Sequence, residues 1–151
     1  MRKGSEKMTD YSVFNILDFA EQAGVENLQA VLKSFSCARN PEVQHFVNDT
    51  AYEFALRNLA STYIVYAGET LAGIFTVTHK ALEIPEEGLS ITMTKRLQKV
   101  VRSDLGSFTL SAFLIAQLGK NDEGKNLIKG DEIYSAAKIS LDSFAKHRRN
   151  V

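Results

Sequence analysis

Cysteine is almost missing from this chain: Cys37 stands alone, so no internal disulfide can form, which suits a reducing, cytoplasmic setting. Proline occurs only twice, and neither a low-complexity tract nor an internal repeat is present, so nothing marks a linker. Net charge is lacking too. Lysine plus arginine and aspartate plus glutamate number 18 each, which gives no global field toward nucleic acid or a membrane surface. No apolar run approaches the roughly 20 residues that cross a bilayer. The opening MRKGSEKM is basic but has no apolar core of a secretory signal; it reads as a disordered leader over residues 1–10, with Met8 as an alternative start. What remains is a single expected domain over 11–151, long enough to bury a sizeable core.

The clearest local signals are helix starts and one hairpin. Tyr11 to Ile16 alternates weakly and predicts a first strand, followed by a short helix over Val25 to Phe35. Asn40 suits an N-cap and Pro41 the first helical position, and apolar residues from Val43 to Leu59 recur on one helical face. TYIVY and LAGIFTVTHKAL are β-rich runs joined by the turn-like AGET, a predicted hairpin. Ser90 predicts a cap for a helix carrying Met93 and Leu97, and RSDLGS predicts a loop. Phe108 to Leu118 is the most apolar stretch and predicts a central strand buried on both faces. A last helix carries Ile133, Ala137, Leu141 and Phe144 and ends in the basic cluster KHRR, Lys146 to Arg149. The expected class is α/β or α+β.

Between the apolar strand and the last helix lies LGKNDEGKNLIKGDEI, Leu118 to Ile133. A helix that starts just after a buried strand aims bare backbone N–H groups into the loop before it, and with the helix dipole these suit phosphate. Gly124 and Gly130 would permit close approach of a ligand, and Lys120, Lys125 and Lys129 add positive charge. Asp131 and Glu132 oppose this, because carboxylates at a helix start repel an anion and suit an ordinary capped terminus. The residues alone leave both readings open. His45, His79 and His147 show no metal-ligand spacing, and Cys37 has no accompanying His–Asp arrangement, so it reads as a small buried residue.

Three stretches resemble the GNAT acetyltransferase superfamily, in particular small, divergent bacterial members. Ser34 to Val77 (SFSCARNPEVQHFVNDTAYEFALRNLASTYIVYAGETLAGIFTV) resembles the family's early helix pair running into the first hairpin. Ser111 to Asn121 (SAFLIAQLGKN) is similar to the strand that holds acetyl-CoA. The loop after it corresponds to the family's Arg/Gln-x-x-Gly-x-Gly/Ala stretch, with Lys125 at the first position, Ile128 at the middle glycine and Gly130 at the last; an alternative register uses Gly124.

That resemblance implies a GNAT-like central mixed sheet flanked by helices, shortened at the C-terminus, and transfer of acetyl from acetyl-CoA to a primary amine of a small molecule or protein. Backbone near Leu118, Gly119 and Lys120 would hold the pantetheine arm. The stretch Lys125, Asn126, Ile128, Lys129, Gly130 and Asp131 would take the pyrophosphate. His79 and Glu83 are candidate bases, with Glu86 beside them. The family's later strands are not present after the last helix, so the resemblance also implies a homodimer, or a partner chain, completing the sheet beside the apolar strand. Nucleic acid, metal and membrane are not expected. The alternative is a catalytically inactive interaction module on the same fold.

Overall fold

The computed structural model describes residues 10–149, with side chains through residue 143. Residues 1–9, where the leader is expected, and the side chains of Phe144 and of the Lys146 to Arg149 cluster lie outside that description. The described chain separates into two compact units. His79–Leu114 form one, and the remainder forms the other.

The larger unit opens with β1 (Tyr11–Asn15), which ends one residue before the sequence predicts. Asn15 is the reason: its Oδ1 accepts the Leu17 N–H at 2.9 Å and starts α1 (Ile16–Ala23), a helix that strand alternation concealed. Gly24, with φ of 93°, turns the chain into α2 (Val25–Ser34). Asn40 then caps α3 (Pro41–Asp49), accepting the Val43 N–H as the sequence leads one to expect. The single long helix expected from Val43 to Leu59 instead breaks at Thr50, and α4 covers Ala51–Leu56. The break follows the polar run Asn48–Asp49–Thr50, where Asn48 Nδ2 turns to donate to the Leu32 and Phe35 carbonyls at 2.7 and 3.1 Å. It thereby gives the Phe35 carbonyl a donor and adds a second donor to the Leu32 carbonyl, which also accepts the Phe35 N–H.

The predicted hairpin is present as β2 (Ser61–Ala67) and β3 (Thr70–Pro85), paired antiparallel from Ser61↔Val77 to Ala67↔Thr70. Every residue from Leu71 to Val77 is buried, including Thr76, whose hydroxyl meets that of Thr62 at 2.7 Å. The helices pack on this part of the sheet, with Ile16, Leu28, Phe35, Val43, Val47, Ile64 and Ile74 in one apolar cluster. The unit closes with the end of β5 (Ser107–Lys120), a single 3₁₀ turn at Asp122–Gly124 and α6 (Gly130–Arg149).

The smaller unit holds the outer halves of β3 and β5, α5 (Ile91–Gln98) and β4 (Ser103–Asp104). Ser90 Oγ accepts the Met93 N–H at 3.1 Å, the expected cap. RSDLGS is not a plain loop. Leu105 and Gly106 both take positive φ, 50° and 80°, and join β4 to β5 in a tight hairpin.

The architecture is α+β, with five strands in the order β1-β2-β3-β5-β4 forming an antiparallel sheet. The most enclosed strand is β3, and the expectation for Phe108 to Leu118 is corrected here. Within β5 only Phe108 and Gly119 are buried. The physical reason is its neighbourhood. β4 pairs only with Ser107 and Phe108, so beyond them the outer edge of β5 has no strand beside it among the described residues.

Candidate functional site

Asn121 organises the loop that follows β5. It is buried, a costly place for an amide unless every polar group finds a partner. Its N–H donates to the Ala72 carbonyl and its Nδ2 to the Leu71 carbonyl, both at 2.8 Å, while its Oδ1 accepts the Ser36 N–H at 2.9 Å. Asp122 continues the seam: its N–H reaches the Ser36 carbonyl at 2.8 Å, and its Oδ2 accepts the Ala38 N–H at 3.0 Å. Two stretches 85 positions apart are thus stitched together, and the turn before α3 is held in place. Cys37 N–H donates to Gln44 Oε1 at 2.8 Å, which secures the same turn from the other side.

Beside this seam lies a cavity of about 670 Å³. One part of its wall comes from Cys37, Ala38, Arg39 and Asn40, the other from Leu118, Gly119, Lys120, Asp122, Lys125, Asn126 and Gly130. Three cationic side chains therefore face one carboxylate, and that carboxylate already holds an amide. The Gly119 wall is tight: a methyl there would stand 3.0 Å from Val43 Cγ1 and 3.4 Å from Phe35 Cζ. At Gly130 an added Cβ would meet only Lys120 Cε, at 3.9 Å.

The two glycines of the loop do different things. Gly124 is not a ligand-facing residue, because a Cβ there would come within 2.6 Å of the Leu71 carbonyl oxygen. Its missing side chain lets the 3₁₀ turn pack on β3. Gly130 opens α6 and lines the cavity. Glu132 folds back so that its Oε1 accepts the Lys129 N–H at 3.2 Å, which occupies one amide of this turn. The Gly130 and Asp131 amides have no partner among the described residues.

Of the residues expected to touch a cofactor, Leu118, Gly119, Lys120, Lys125, Asn126 and Gly130 all line the cavity. Ile128, Lys129 and Asp131 do not. Ile128 is buried at 3% exposure, and Lys129 and Asp131 are exposed around the start of α6. The candidate bases His79 and Glu83 are exposed residues of β3 in the smaller unit. The His79 ring meets Phe113 edge-on at 5.2 Å. His45 lies on the surface of α3, with Nδ1 2.8 Å from an Asp49 carboxylate oxygen. Sequence reasoning gave no role to Arg39, Asp122 or Asn121. The signal was within the SFSCARN and LGKN stretches, but only pairing across the chain makes it visible. Burial raises the pKa values of the Tyr63 and Tyr66 hydroxyls on β2; both are away from the cavity wall. No group of three His, Cys, Asp or Glu side chains could hold a metal among the described residues, and none of the described helices is long and apolar enough to cross a membrane.

Solved structures with this fold include a mutant of KacT, with a TM-score of 0.63 at 13% identity, covering 90% of this chain and 71% of that one. A bacterial toxin follows with a TM-score of 0.54 at 14% identity, covering 94% and 69%. No family model and no curated protein matches the chain. This corrects the resemblance read from the sequence. Membership in a divergent bacterial branch of the GNAT superfamily has no matching family model behind it, and the likeness at these identities is one of fold alone. The α+β fold is shared with KacT.

Proposed function

We propose that the cavity binds acetyl-CoA and that the chain transfers the acetyl group to a primary amine, borne by a small molecule or a protein. The observation that carries this reading is the convergence of Arg39, Lys120 and Lys125 on one cavity that also reaches Leu118, Gly119 and the open first turn of α6. A diphosphate fits cations and bare helix-start amides. A pantetheine arm fits the strand end at Leu118 and Gly119, where extended backbone offers amide partners. The acetyltransferase-like fold of the neighbours supports the same assignment.

In this reading the amine nitrogen attacks the thioester carbonyl carbon, the C–S bond breaks, and coenzyme A leaves as the thiol after taking up a proton. The chain's part is to orient the thioester along the end of β5 and to donate backbone N–H groups toward its carbonyl oxygen. Such donors stabilise a developing oxyanion by about 3 kcal/mol each in well-formed sites. The proton of the attacking amine passes to water or to a group supplied with the acceptor. A buried free thiol at Cys37 fits a reducing, cytoplasmic setting. The open edge of β5 fits self-association or a partner strand, which light scattering on the purified protein tests; a well-behaved monomer argues against it.

Titration with acetyl-CoA, followed by thermal unfolding, tests the assignment. A ligand that binds only the native state raises stability by roughly 2.7 kcal/mol at a hundred times its Kd. Absence of any shift at millimolar acetyl-CoA overturns it. A second reading, a non-catalytic interaction module, is favoured by one observation: the carboxylate on the described cavity wall, Asp122, is already engaged by the Ala38 amide. Binding of acetyl-CoA without turnover on any amine would support that alternative.

A further inference from the structure

Arg39 is the cavity cation that the loop after β5 does not supply. It comes from the turn between α2 and α3, while Lys120 and Lys125 come from the end of β5 and the segment beyond it. The turn that carries it is unusually well fixed for an exposed segment. Ser36, Ala38 and Asp122 are joined by one backbone bond and a carboxylate, the buried Asn121 side chain accepts the Ser36 N–H, and Asn40 N–H closes onto the Cys37 carbonyl at 3.0 Å. Asp122 is the only carboxylate on the cavity wall among the described residues, and its Oδ2 is engaged by the Ala38 amide. No ion pair to Arg39 occurs among the described residues. A guanidinium on a rigid turn, beside an anion-poor cavity, is placed to accept a ligand's negative charge.

We propose that Arg39 is the residue by which the cavity selects a phosphate-bearing acyl carrier. Its planar fork binds a phosphate group through paired N–H donors, from the α2–α3 turn, while Lys120 and Lys125 act from the β5 side. The two contributions are chemically distinct. Arginine offers fixed bidentate geometry, whereas lysine acts as a mobile point charge. Arg39 then reads the nucleotide end of the ligand and leaves the thioester to the backbone at Leu118 and Gly119. This inference rests on the acetyl-CoA reading and deepens it.

The test is calorimetric titration of the full chain, its Arg39→Gln variant and its Arg39→Lys variant, with two probes: acetyl-CoA and adenosine 3′,5′-bisphosphate, which carries phosphates but no thiol arm. Thermal unfolding of the free proteins controls for folding, and Arg39 is exposed, so unchanged stability is expected. Loss of one charged hydrogen-bonding group predicts affinity for both probes falling by about tenfold or more in Arg39→Gln, by a similar factor, with partial recovery in Arg39→Lys. A fall for acetyl-CoA alone overturns the proposal, because Arg39 would then serve the acyl end. So does an unchanged affinity for either probe. If the unsubstituted chain binds neither probe, the acetyl-CoA reading itself falls and this inference falls with it. If the unsubstituted chain binds both and Arg39→Gln binds them equally well, only this inference is lost.

Discussion

The ten residues from Asn121 to Gly130 divide into two regions that look alike in sequence and do opposite things. The first, Asn121 to Gly124, is stitched to the core through the Leu71 and Ala72 carbonyls and the Ser36 backbone. The second, Lys125 to Gly130, is mostly exposed and faces the cavity with Lys125, Asn126 and Gly130. Each contains one glycine. At Gly124 the absent side chain makes room for protein backbone, and at Gly130 it borders open space. A glycine is therefore not a ligand signal until its surroundings are known. The same loop anchors at one end and offers a surface at the other.

The comparison breaks most visibly if the glycines are exchanged for larger residues. Gly124→Val places carbon atoms within 2.6 Å of the Leu71 oxygen and 2.7 Å of Ala72 Cα, and neither backbone atom can swing away. A loss of about 3 kcal/mol or more in urea unfolding is expected. A loss under about 1 kcal/mol would show that the close approach does not exist. Next in size is Asn121→Ala, which leaves the Ser36 N–H and the Leu71 carbonyl without their side-chain partner. An expected loss of roughly 2–3 kcal/mol should come with weaker acetyl-CoA binding, since the turn carrying Arg39 is released. Unchanged ligand affinity in this variant would separate the seam from the site.

Gly130→Val should cost no more than about 1 kcal/mol, the scale of a helix-propensity change. It should nevertheless remove the thermal shift produced by acetyl-CoA, because the side chain enters the cavity. Retained binding puts the phosphates elsewhere. The smallest effect belongs to Glu132→Ala. It removes the cap on the Lys129 amide, at about 0.5–1 kcal/mol, and also removes a negative charge from the start of α6. Affinity for acetyl-CoA should rise a few-fold, and a fall would mean that the carboxylate supports the ligand-bound loop.

Much of the secondary structure could be read directly from local chemistry. Asn40 and Ser90 announce caps and AGET announces the hairpin, because capping and turn formation depend on neighbours within a few residues. Errors arose where a local signal had two outcomes. Asn15 ends a strand and caps a helix at once, so α1 was hidden. The apolar run of β5 reads as doubly buried, yet beyond Phe108 its outer edge has no strand beside it among the described residues, and most of it is half exposed. β3, with a glycine and three threonines among its residues, is the enclosed strand. Six of the residues proposed from resemblance did meet in one cavity, whereas Ile128 turned into the core and His79 and Glu83 belong to the smaller unit.

The amino-acid order alone determined the α+β character, the helix starts and the hairpin, together with the loop where lysines and glycines gather, because each depends on interactions over a few positions. The tertiary structure alone decided that Asn121 ties Ser36 to Leu71 and that Arg39 shares a cavity with Lys120 and Lys125. Ser36 and Asn121 lie 85 positions apart, and hydrogen bonds and cavity walls form between neighbours in space, which no local pattern encodes.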